Sequence, residues 1–533
     1  MSITTLSSIV FFLFVFIVYY LIPKKFQWIL LLLSSVFFYI YGGWQYFIYV
    51  IITASTVFFS AKAIRVLTKK QKHYLKENKQ LISKEEKKKY KATNKRKRKT
   101  ILILTLMLNI GILCYFKYTH FLLEQLNGIL SWFSVSPLKD TFSLIMPLGI
   151  SFYTFQAIGY LLDVYWEYYE PENNYFKFLL FVSFFPQMTQ GPISDFEQLS
   201  QELYTEHAFN YTNFSWGFQR MIWGFFKKMI IADTLSPWVN NVFQNYNTYA
   251  GISVLTGAFM YSIQIYADFS GYMDIMCGLC EVLGIKLSEN FDRPYFSRSI
   301  AEYWRKWHIT MGAWFKKYIY YPIAMSPSNR KLAKSTVRLG KHFSETFPAT
   351  IALTVTWLAT GLWHGASWAY IVWGLVNGLF LILSLWLEPV YTSTKKALKI
   401  KDTNKIWVAF QLLRTFILVT FIKVLPEVGN LSDGLGFWRR VFTNHTIPRS
   451  FSELFPFADL SITVYKINFV LAIFGVIMMI IISIVQYRNP ARYYFNKIPK
   501  ALRLIVLSLL IILIASFGVQ ATWGSGGFLY AQF

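Results

Sequence analysis

The stretch NKRKRKTILILTLMLNIGILCYFKYTHFLL at residues 94–123 decides the fold class, because a basic run leads directly into an apolar run. A helix needs about 20 predominantly apolar residues to cross a bilayer, and residues 101–123 meet that length. The run NKRKRK at 94–99 could by itself indicate nucleic acid. Because apolar segments flank it on both sides, it is more typical of the cytoplasmic membrane face, and we expect no nucleic acid partner.

The composition of the whole chain agrees with a membrane protein. Of the 533 residues, 55% are hydrophobic, 19% are aromatic and only 15% are charged, whereas about a quarter of the residues of a soluble domain are charged. This excludes a large soluble protein and a disordered chain. The three cysteines are too few for a disulfide scaffold, and the pair Cys277 and Cys280 lies in an apolar run, which predicts helical packing.

Apolar runs close to the length of a membrane span recur along the chain. They predict an all-α, polytopic membrane helical bundle with about 11–13 spanning or re-entrant helices. The runs are 6–22, 26–41, 44–61, 101–123, 142–166, 175–191, 215–232, 250–272, 347–363, 366–388, 405–425, 467–486 and 504–522.

The distribution of charge predicts how the bundle is oriented. The chain has 53 Lys and Arg against 27 Asp and Glu, and residues 62–100 alone hold 17 of these bases and three Glu. Cytoplasmic loops collect Lys and Arg, so we predict a basic cytoplasmic loop at 62–100 that also attracts anionic lipids. The N-terminus and the loop 426–466 then lie outside. The acidic segment EYYEPENN at 167–174 falls inside, where it fits the pattern poorly.

Proline and glycine interrupt the apolar runs at three places. These are MPLG at 146–149, FPQMTQGP at 185–192 and DRPY at 292–295. Broken backbone at membrane depth is tolerated where protein covers it or where it lines a water-filled cavity. We therefore predict broken helices that enclose a tunnel, a pattern that a transporter would also show.

Ionisable residues concentrate between Asp268 and Lys317. Each such residue inside a membrane is costly and needs a reason. The run WRKWHIT at 304–310 predicts an amphipathic or re-entrant helix with Trp304, Trp307 and His308 on one face. An interfacial helix with an aromatic belt and snorkelling bases is the alternative, and the pattern leaves both open.

A second candidate is the segment TGLWHGASW at 360–368, in which His364 lies between Gly361 and Gly365. The two glycines allow a close approach of backbone. A neutral imidazole can accept a proton and return it, although a buried histidine can equally be an ordinary core residue. The histidines show no spacing with cysteine that predicts a metal site, so we expect no metal.

Five segments together resemble a known family. They are MPLGISFYTFQAIGYLLDVY (146–165), FVSFFPQ (181–187) followed by GPI (191–193), YADFSGYMDI (266–275), NFDRPYFSRSIAEYWRKWHIT (290–310) and TGLWHGASW. The chain is similar to the membrane-bound O-acyltransferases, in particular to the bacterial branch of alginate and peptidoglycan O-acetylation. That branch is related to the teichoic-acid D-alanyl transfer protein.

The resemblance implies an activity and a set of site residues. An acyl thioester, acetyl-CoA or a similar donor, would enter from the cytoplasm as a substrate, with no bound cofactor. His364 would be the general base toward an acceptor hydroxyl, and His308 would support it in the tunnel. The residues implied to line or brace the tunnel are Asp268, Ser270, Trp304, Arg305 and Trp363.

The chain ends in GGFLYAQF, and this tail resembles a terminal aromatic motif of the same branch. The resemblance implies that Tyr530 carries the acyl group outside, to an exterior acetyltransferase partner protein. An aromatic interfacial tail is the alternative. We thus expect a multi-pass domain at 1–522 and an exterior tail at 523–533, in a bacterial cytoplasmic membrane. D-alanyl transfer from a carrier protein to teichoic acid and a transporter or flippase remain alternative functions.

Overall fold

The computed structural model describes residues 3–139, 146–456 and 462–519. Within these ranges the regular elements are helices, and the one β feature is an isolated bridge between Phe291 and Trp307. The predicted all-α class is confirmed. Tyr530 and the predicted exterior tail at 523–533 lie outside the described residues.

The chain forms two compact units. Among the described residues, the first consists mainly of residues 5–211 with the short segment 283–287, and the second mainly of residues 212–282 and 288–519. The helices of the first unit are α1 (Leu6–Leu21), α2 (Gln27–Gly43), α3 (Phe47–Glu77), α4 (Lys84–Trp132), α5 (Ile150–Tyr165), α6 (Tyr175–Ser183), α7 (Phe185–Met188) and α8 (Phe196–Tyr204).

The second unit holds the remaining helices. They are α9 (Tyr211–Phe225), α10 (Asp233–Gln244), α11 (Gly251–Val282), α12 (Ile300–Lys306), α13 (Ile309–Phe315), α14 (Tyr321–Ala324), α15 (Pro327–Ser335), α16 (Lys341–His364), α17 (Trp368–Trp386), α18 (Glu388–Ala397), α19 (Lys405–Val424), α20 (Leu431–Thr443), α21 (Phe451–Leu454), α22 (Ile462–Val485), α23 (Ala491–Phe495) and α24 (Lys500–Phe517). Two π-helical segments, Phe226–Ala232 and Lys316–Tyr320, follow α9 and α13.

Six helical stretches of the described residues are long and apolar enough to cross a membrane, which confirms a multi-pass membrane protein. They are Lys24–Glu77, Lys84–Trp132, Trp368–Trp386, Lys405–Val424, Ile467–Val485 and Lys500–Phe517. Six is fewer than the 11–13 spanning or re-entrant helices predicted. The run at 142–166, for example, holds α5, which is only 16 residues long and almost entirely buried. Apolarity alone does not distinguish a helix that faces lipid from one that faces protein.

The basic segment 62–100 consists of the end of α3 and the start of α4, joined by a short connection at 78–83, and its location at the cytoplasmic face stays a prediction. The acidic segment 167–174 packs against these helices. Glu167 pairs with Lys72 at 2.6 Å and with Arg98 at 3.0 Å. The hydrogen bond from Lys72, with that from Arg98, holds the pKa of Glu167 below its usual range. The ion pairs explain why an acidic segment lies beside the most basic part of the chain.

Two of the predicted helix breaks meet in the first unit. Gly149 adopts a left-handed φ of +68° and precedes α5, and a side chain there would collide with the Met188 carbonyl oxygen. The chain after Met188 leaves helical geometry until α8. The breaks at 146–149 and 185–192 are therefore confirmed, and they pack against each other. That these breaks enclose a tunnel stays a prediction.

A seam of glycines joins α9 and α11 in the second unit. Gly217 contacts the Gly278 carbonyl, and Gly224 contacts the Gly271 carbonyl so closely that an added Cβ would lie 2.7 Å from that oxygen. In both helices the glycines are seven residues apart, which places each pair on one helix face. Small residues let two helices approach to backbone contact. The seam brings the charged residues of both helices together.

Candidate active site

His364 is the last residue of α16, at the turn that leads into α17. A Cβ on Gly361 would lie 2.5 Å from the Tyr370 carbonyl oxygen, and a Cβ on Gly365 would collide with the Tyr370 ring. The absence of a side chain at Gly361 and Gly365 therefore allows Tyr370 to pack against this turn. The predicted role of these glycines in close approach is confirmed.

Aromatic rings surround His364, which is 7% exposed. The centroid of its imidazole lies 4.8 Å from that of Trp363 and 4.7 Å from that of Trp373, both at steep angles. The ring of Tyr370 is nearly parallel to the imidazole, at 12° and 6.3 Å. Such a site excludes most water while it leaves the imidazole available for proton transfer.

His308 is completely buried and has a left-handed φ of +49°. The predicted helix through WRKWHIT is wrong, because α12 ends at Lys306 and α13 begins only at Ile309. Trp307 pairs with Phe291 in the isolated bridge, so Trp304, Trp307 and His308 do not share one helical face. Helix periodicity could not reveal this break, because a tertiary contact between distant segments produces it.

Asn290 holds the segment that carries His308. The backbone N–H groups of Ile309 and Thr310 donate to the Asn290 carbonyl and side-chain oxygen, each at 3.0 Å, and the Thr310 hydroxyl donates to the same side chain at 2.7 Å. These bonds fix the backbone on the C-terminal side of His308. No local pattern points to Asn290, since its hydrogen bonds join segments 20 residues apart.

The ring of Trp363 lies between the imidazoles of His308 and His364. Its ring centroid lies 6.1 Å from that of His308 and 4.8 Å from that of His364. Phe269 from α11 meets His308 edge to face at 4.9 Å. Three of the five family-like segments thus converge on one cluster, called here the histidine cluster (Phe269, His308, Trp363, His364, Tyr370 and Trp373).

Trp304 lies beside this cluster, whereas Arg305 is exposed. The indole N–H of Trp304 donates to the Asn377 side chain at 3.1 Å, and its ring packs on Trp357 and Trp373. The position of Trp304 suits the predicted bracing of the site. A role for Arg305 in binding a substrate stays a prediction.

Asp268 and Ser270 face two lysines of the π-helical segment. Lys228 pairs with Asp268 at 2.5 Å and with Asp233 at 2.8 Å. Lys227 donates to the Ser270 hydroxyl at 2.8 Å and pairs with Asp274 at 2.7 Å. All these groups are buried or nearly so, and we call them, with Arg220, the ionic cluster. The pair Lys227–Lys228 within the apolar run 215–232 was the sequence feature that could have revealed it.

The last turn of α19 and the residues just after it provide two charged side chains that were not predicted from the sequence. Lys423 places its ammonium nitrogen 3.3 Å from the ring centroid of Trp307, the residue before His308. Glu427 accepts a hydrogen bond of 3.1 Å from the Tyr370 hydroxyl. Charges close to an apolar run are the feature that could have pointed to them.

These elements define the class of the protein. It is a multi-pass helical membrane protein in which two buried histidines meet at a Trp-His-Gly turn lined with aromatic rings. The imidazoles are the groups best suited to proton transfer in this cluster.

Comparison with known proteins shows which family the chain resembles. Residues 171–421 match the membrane-bound O-acyltransferase family, and this range includes both histidines. The chain is 33% identical over 342 residues to the "Probable alginate O-acetylase" of Pseudomonas aeruginosa, which is 64% of this chain and 60% of that protein. It is 34% identical over 306 residues to the peptidoglycan O-acetyltransferase of Helicobacter pylori, which is 52% of this chain and 54% of that protein.

A more distant relative is the teichoic acid D-alanyltransferase of Streptococcus thermophilus, 26% identical over 295 residues, which are 52% of this chain and 66% of that protein. The chain thus spans between about half and two thirds of the length of these relatives. The matching range covers just under half of the chain, and the resemblance to the membrane-bound O-acyltransferase family that was predicted from the sequence is confirmed.

Proposed function

We propose that the protein is an O-acyltransferase that moves an acetyl group from a cytoplasmic thioester to an extracytoplasmic cell-envelope polysaccharide. The observation that carries this proposal is the position of His364, buried among aromatic rings at the family's Trp-His-Gly turn and joined to His308 through Trp363. The proposal is supported by relatives at 33–36% identity, which are named as O-acetylases or an O-acetyltransferase.

His364 acts as the general base in this proposal. As the acceptor oxygen attacks the thioester carbonyl carbon, the imidazole takes the proton of the acceptor hydroxyl. The C–O bond of the new ester forms and the C–S bond of the donor breaks. The imidazole then gives its proton to the departing thiolate sulfur. The aromatic rings exclude water, which would otherwise hydrolyse the thioester.

The other predicted site residues support this step. His308 and Trp363 position the reacting groups, and Trp304 braces the aromatic wall through Asn377. Asp268 and Ser270 act one layer further out, because they hold the two lysines of the ionic cluster. Arg305 is exposed and is therefore the residue with the least structural support for a role in substrate binding.

The direction of transfer follows from the proposed orientation. The basic helices at 62–100 lie at the cytoplasmic face of a bacterial membrane, where they contact anionic lipids, and both termini lie outside. Acetyl-CoA or a similar thioester then arrives from the cytoplasm. Tyr530 receives the acetyl group outside and passes it to an exterior acetyltransferase partner.

D-alanyl transfer to teichoic acid is the second candidate function. It is favoured by the relatives named teichoic acid D-alanyltransferase, at 25–26% identity. The higher identity to the O-acetylases supports acetyl as the cargo. A D-alanyl donor on a carrier protein would use the same general base.

The test uses the full-length protein in detergent or nanodiscs. Thiol release from acetyl-CoA is compared with release from a D-alanyl carrier protein, with His364→Ala as the inactive variant and His73→Ala, an exposed histidine, as the matched control. We expect acetyl-CoA turnover that falls roughly 10²- to 10⁴-fold in His364→Ala and is unchanged in His73→Ala. Full activity of His364→Ala would contradict the proposed base, and binding of the thioester without turnover would favour a transporter.

The relay through Tyr530 is tested separately. We expect acetylated Tyr530 in peptides analysed by mass spectrometry after incubation with acetyl-CoA. Tyr530→Phe should keep donor binding and lose polymer acetylation. Normal polymer acetylation by Tyr530→Phe would return the tail to an aromatic membrane anchor.

A further inference from the structure

The last turn of α19 and the residues after it contact Tyr370 of the histidine cluster and Trp307, the residue before His308. Lys423 is 7% exposed, and its ammonium group contacts Trp307 at 3.3 Å from the ring centroid. It also donates to the Tyr295 hydroxyl at 3.1 Å. A buried lysine is costly, and aromatic faces compensate part of that cost through cation–π attraction. One end of this segment thus holds the residue next to His308.

The other end of the segment reaches the second histidine through Tyr370. Glu427 accepts the hydrogen bond from the Tyr370 hydroxyl at 3.1 Å. The Tyr370 ring lies nearly parallel to the His364 imidazole, and both neighbouring glycines are needed to admit it. Tyr261 from α11 and Lys423 also face the Glu427 carboxylate. Rotation of the Tyr370 ring away from His364 would break the bond to Glu427.

We propose that Tyr370 and Glu427 are a positioning pair that fixes the orientation of the His364 imidazole. The inference rests on the proposed function, since it assigns the pair to the group that moves the proton. Neither residue belongs to the five family-like segments, and Glu427 lies beyond residue 421, where the family match ends.

The pair acts through geometry rather than through direct contact with the substrate. The aromatic face of Tyr370 limits the rotation of the imidazole, and the hydroxyl bond to Glu427 limits the rotation of Tyr370. An imidazole that is misplaced by about 1 Å can cost on the order of a hundredfold in rate. Electrostatic attraction from Lys423 favours the charged form of this carboxylate in a largely apolar region.

The test is a double-mutant cycle on the full-length protein, with kcat and KM for acetyl-CoA measured separately. Tyr370→Phe keeps the ring and removes the hydroxyl, whereas Glu427→Ala removes the acceptor. We expect each to lower kcat about tenfold with KM unchanged. The double variant should be no slower than the slower single variant, because both changes remove the same bond.

A conservative variant and a matched control complete the design. Glu427→Gln keeps a carbonyl acceptor for the Tyr370 hydroxyl and should recover most of kcat. Tyr391→Phe removes another tyrosine hydroxyl that bonds α19, through Gln411, and should leave kcat unchanged. Additive losses in the double variant, or losses that appear only as reduced thermal stability, would overturn the pair as a positioning device.

The cycle also separates this inference from the proposed function. If His364→Ala is inactive while Tyr370→Phe and Glu427→Ala keep full kcat, the general base stands and the positioning pair is wrong. If His364→Ala keeps full activity, the proposed base is wrong whatever the cycle shows.

Discussion

The histidine cluster and the ionic cluster of the second unit handle buried polar groups in opposite ways. In the ionic cluster, Lys228 is 0% and Asp268 is 1% exposed, and each charge lies within 2.8 Å of an opposite charge. In the histidine cluster, the two imidazoles are surrounded mainly by aromatic rings. Paired charges stabilise one arrangement of the ionic cluster, whereas a buried neutral imidazole needs no opposite charge beside it. The difference separates the residues that hold the fold from those suited to chemistry.

The substitution Lys228→Met should have the largest effect, because it tests the contribution of the buried ion pairs to stability. The change removes the ammonium that neutralises Asp233 and Asp268, so we expect a loss of roughly 3–5 kcal/mol in the free energy of unfolding. Thermal unfolding in detergent measures the effect. Lys306→Met, which breaks the half-buried pair with Glu302, is the matched control and should cost at most about 1 kcal/mol. Equal losses in the two variants would show that burial does not distinguish these pairs.

The glycine seam that assembles the ionic cluster gives the next largest effect. A Cβ in Gly271→Ala would lie 3.0 Å from the backbone carbonyl oxygen of Gly224 and 3.2 Å from the backbone nitrogen of Lys228. We expect overpacking that lowers the free energy of unfolding by about 1–3 kcal/mol. Gly111→Ala, with nothing within 4 Å of the added carbon, is the control and should not lower stability. A neutral Gly271→Ala would mean that the seam can open without cost.

Substitution of His308 tests whether the histidine cluster contributes to catalysis or only to packing. His308→Asn and His308→Ala both remove the imidazole, and we expect each to lower kcat about tenfold. Asparagine tolerates the left-handed backbone of this position better than alanine, so only His308→Ala should also lose about 1 kcal/mol of stability. Parallel measurements of kcat and thermal unfolding separate the two effects. Full activity of His308→Asn would assign His308 to packing alone.

The exposed ion pairs of the first unit provide the smallest effect. Glu167→Gln should cost no more than about 1 kcal/mol at neutral pH, because water screens the pairs with Lys72 and Arg98. Since folding lowers the pKa of Glu167, its contribution is present above the ordinary glutamate pKa and is lost as the pH falls through the lowered value.

Thermal unfolding as a function of pH measures this dependence for Glu167→Gln. The difference from the unmodified protein should therefore disappear in acid. Glu206→Gln, at an exposed carboxyl of the same unit, is the control. A Glu167→Gln effect as large as that of Lys228→Met would contradict the distinction between exposed and buried pairs.

Local pattern predicted much of this molecule correctly. The helical class, the multi-pass character and the family resemblance follow from apolar runs and from short segments that can be compared directly. The helix breaks at 146–149 and 185–192 follow from proline and glycine, and the flanking glycines of His364 correctly predicted a close approach. Each of these features depends on residues that are neighbours in the chain.

The features that the sequence analysis missed depend on residues that are distant in the chain. The break before His308 depends on Asn290 and Phe291, and Lys228 of the ionic cluster pairs with Asp268, 40 residues away. The acidic segment at 167–174 does not fit the charge pattern of the cytoplasmic face, but its ion pairs with the basic helices explain its position. Periodicity and hydropathy contain no information on such pairings.

Apolarity, proline, glycine and the family-like segments are properties of the chain as written, and they were enough to predict a helical membrane protein similar to the O-acyltransferases. The position of Trp363 between His308 and His364 is set by the packing of the folded chain. The same is true of the hydrogen bond between Tyr370 and Glu427. The physical reason is that helix packing brings together side chains whose separation in sequence carries no local signal.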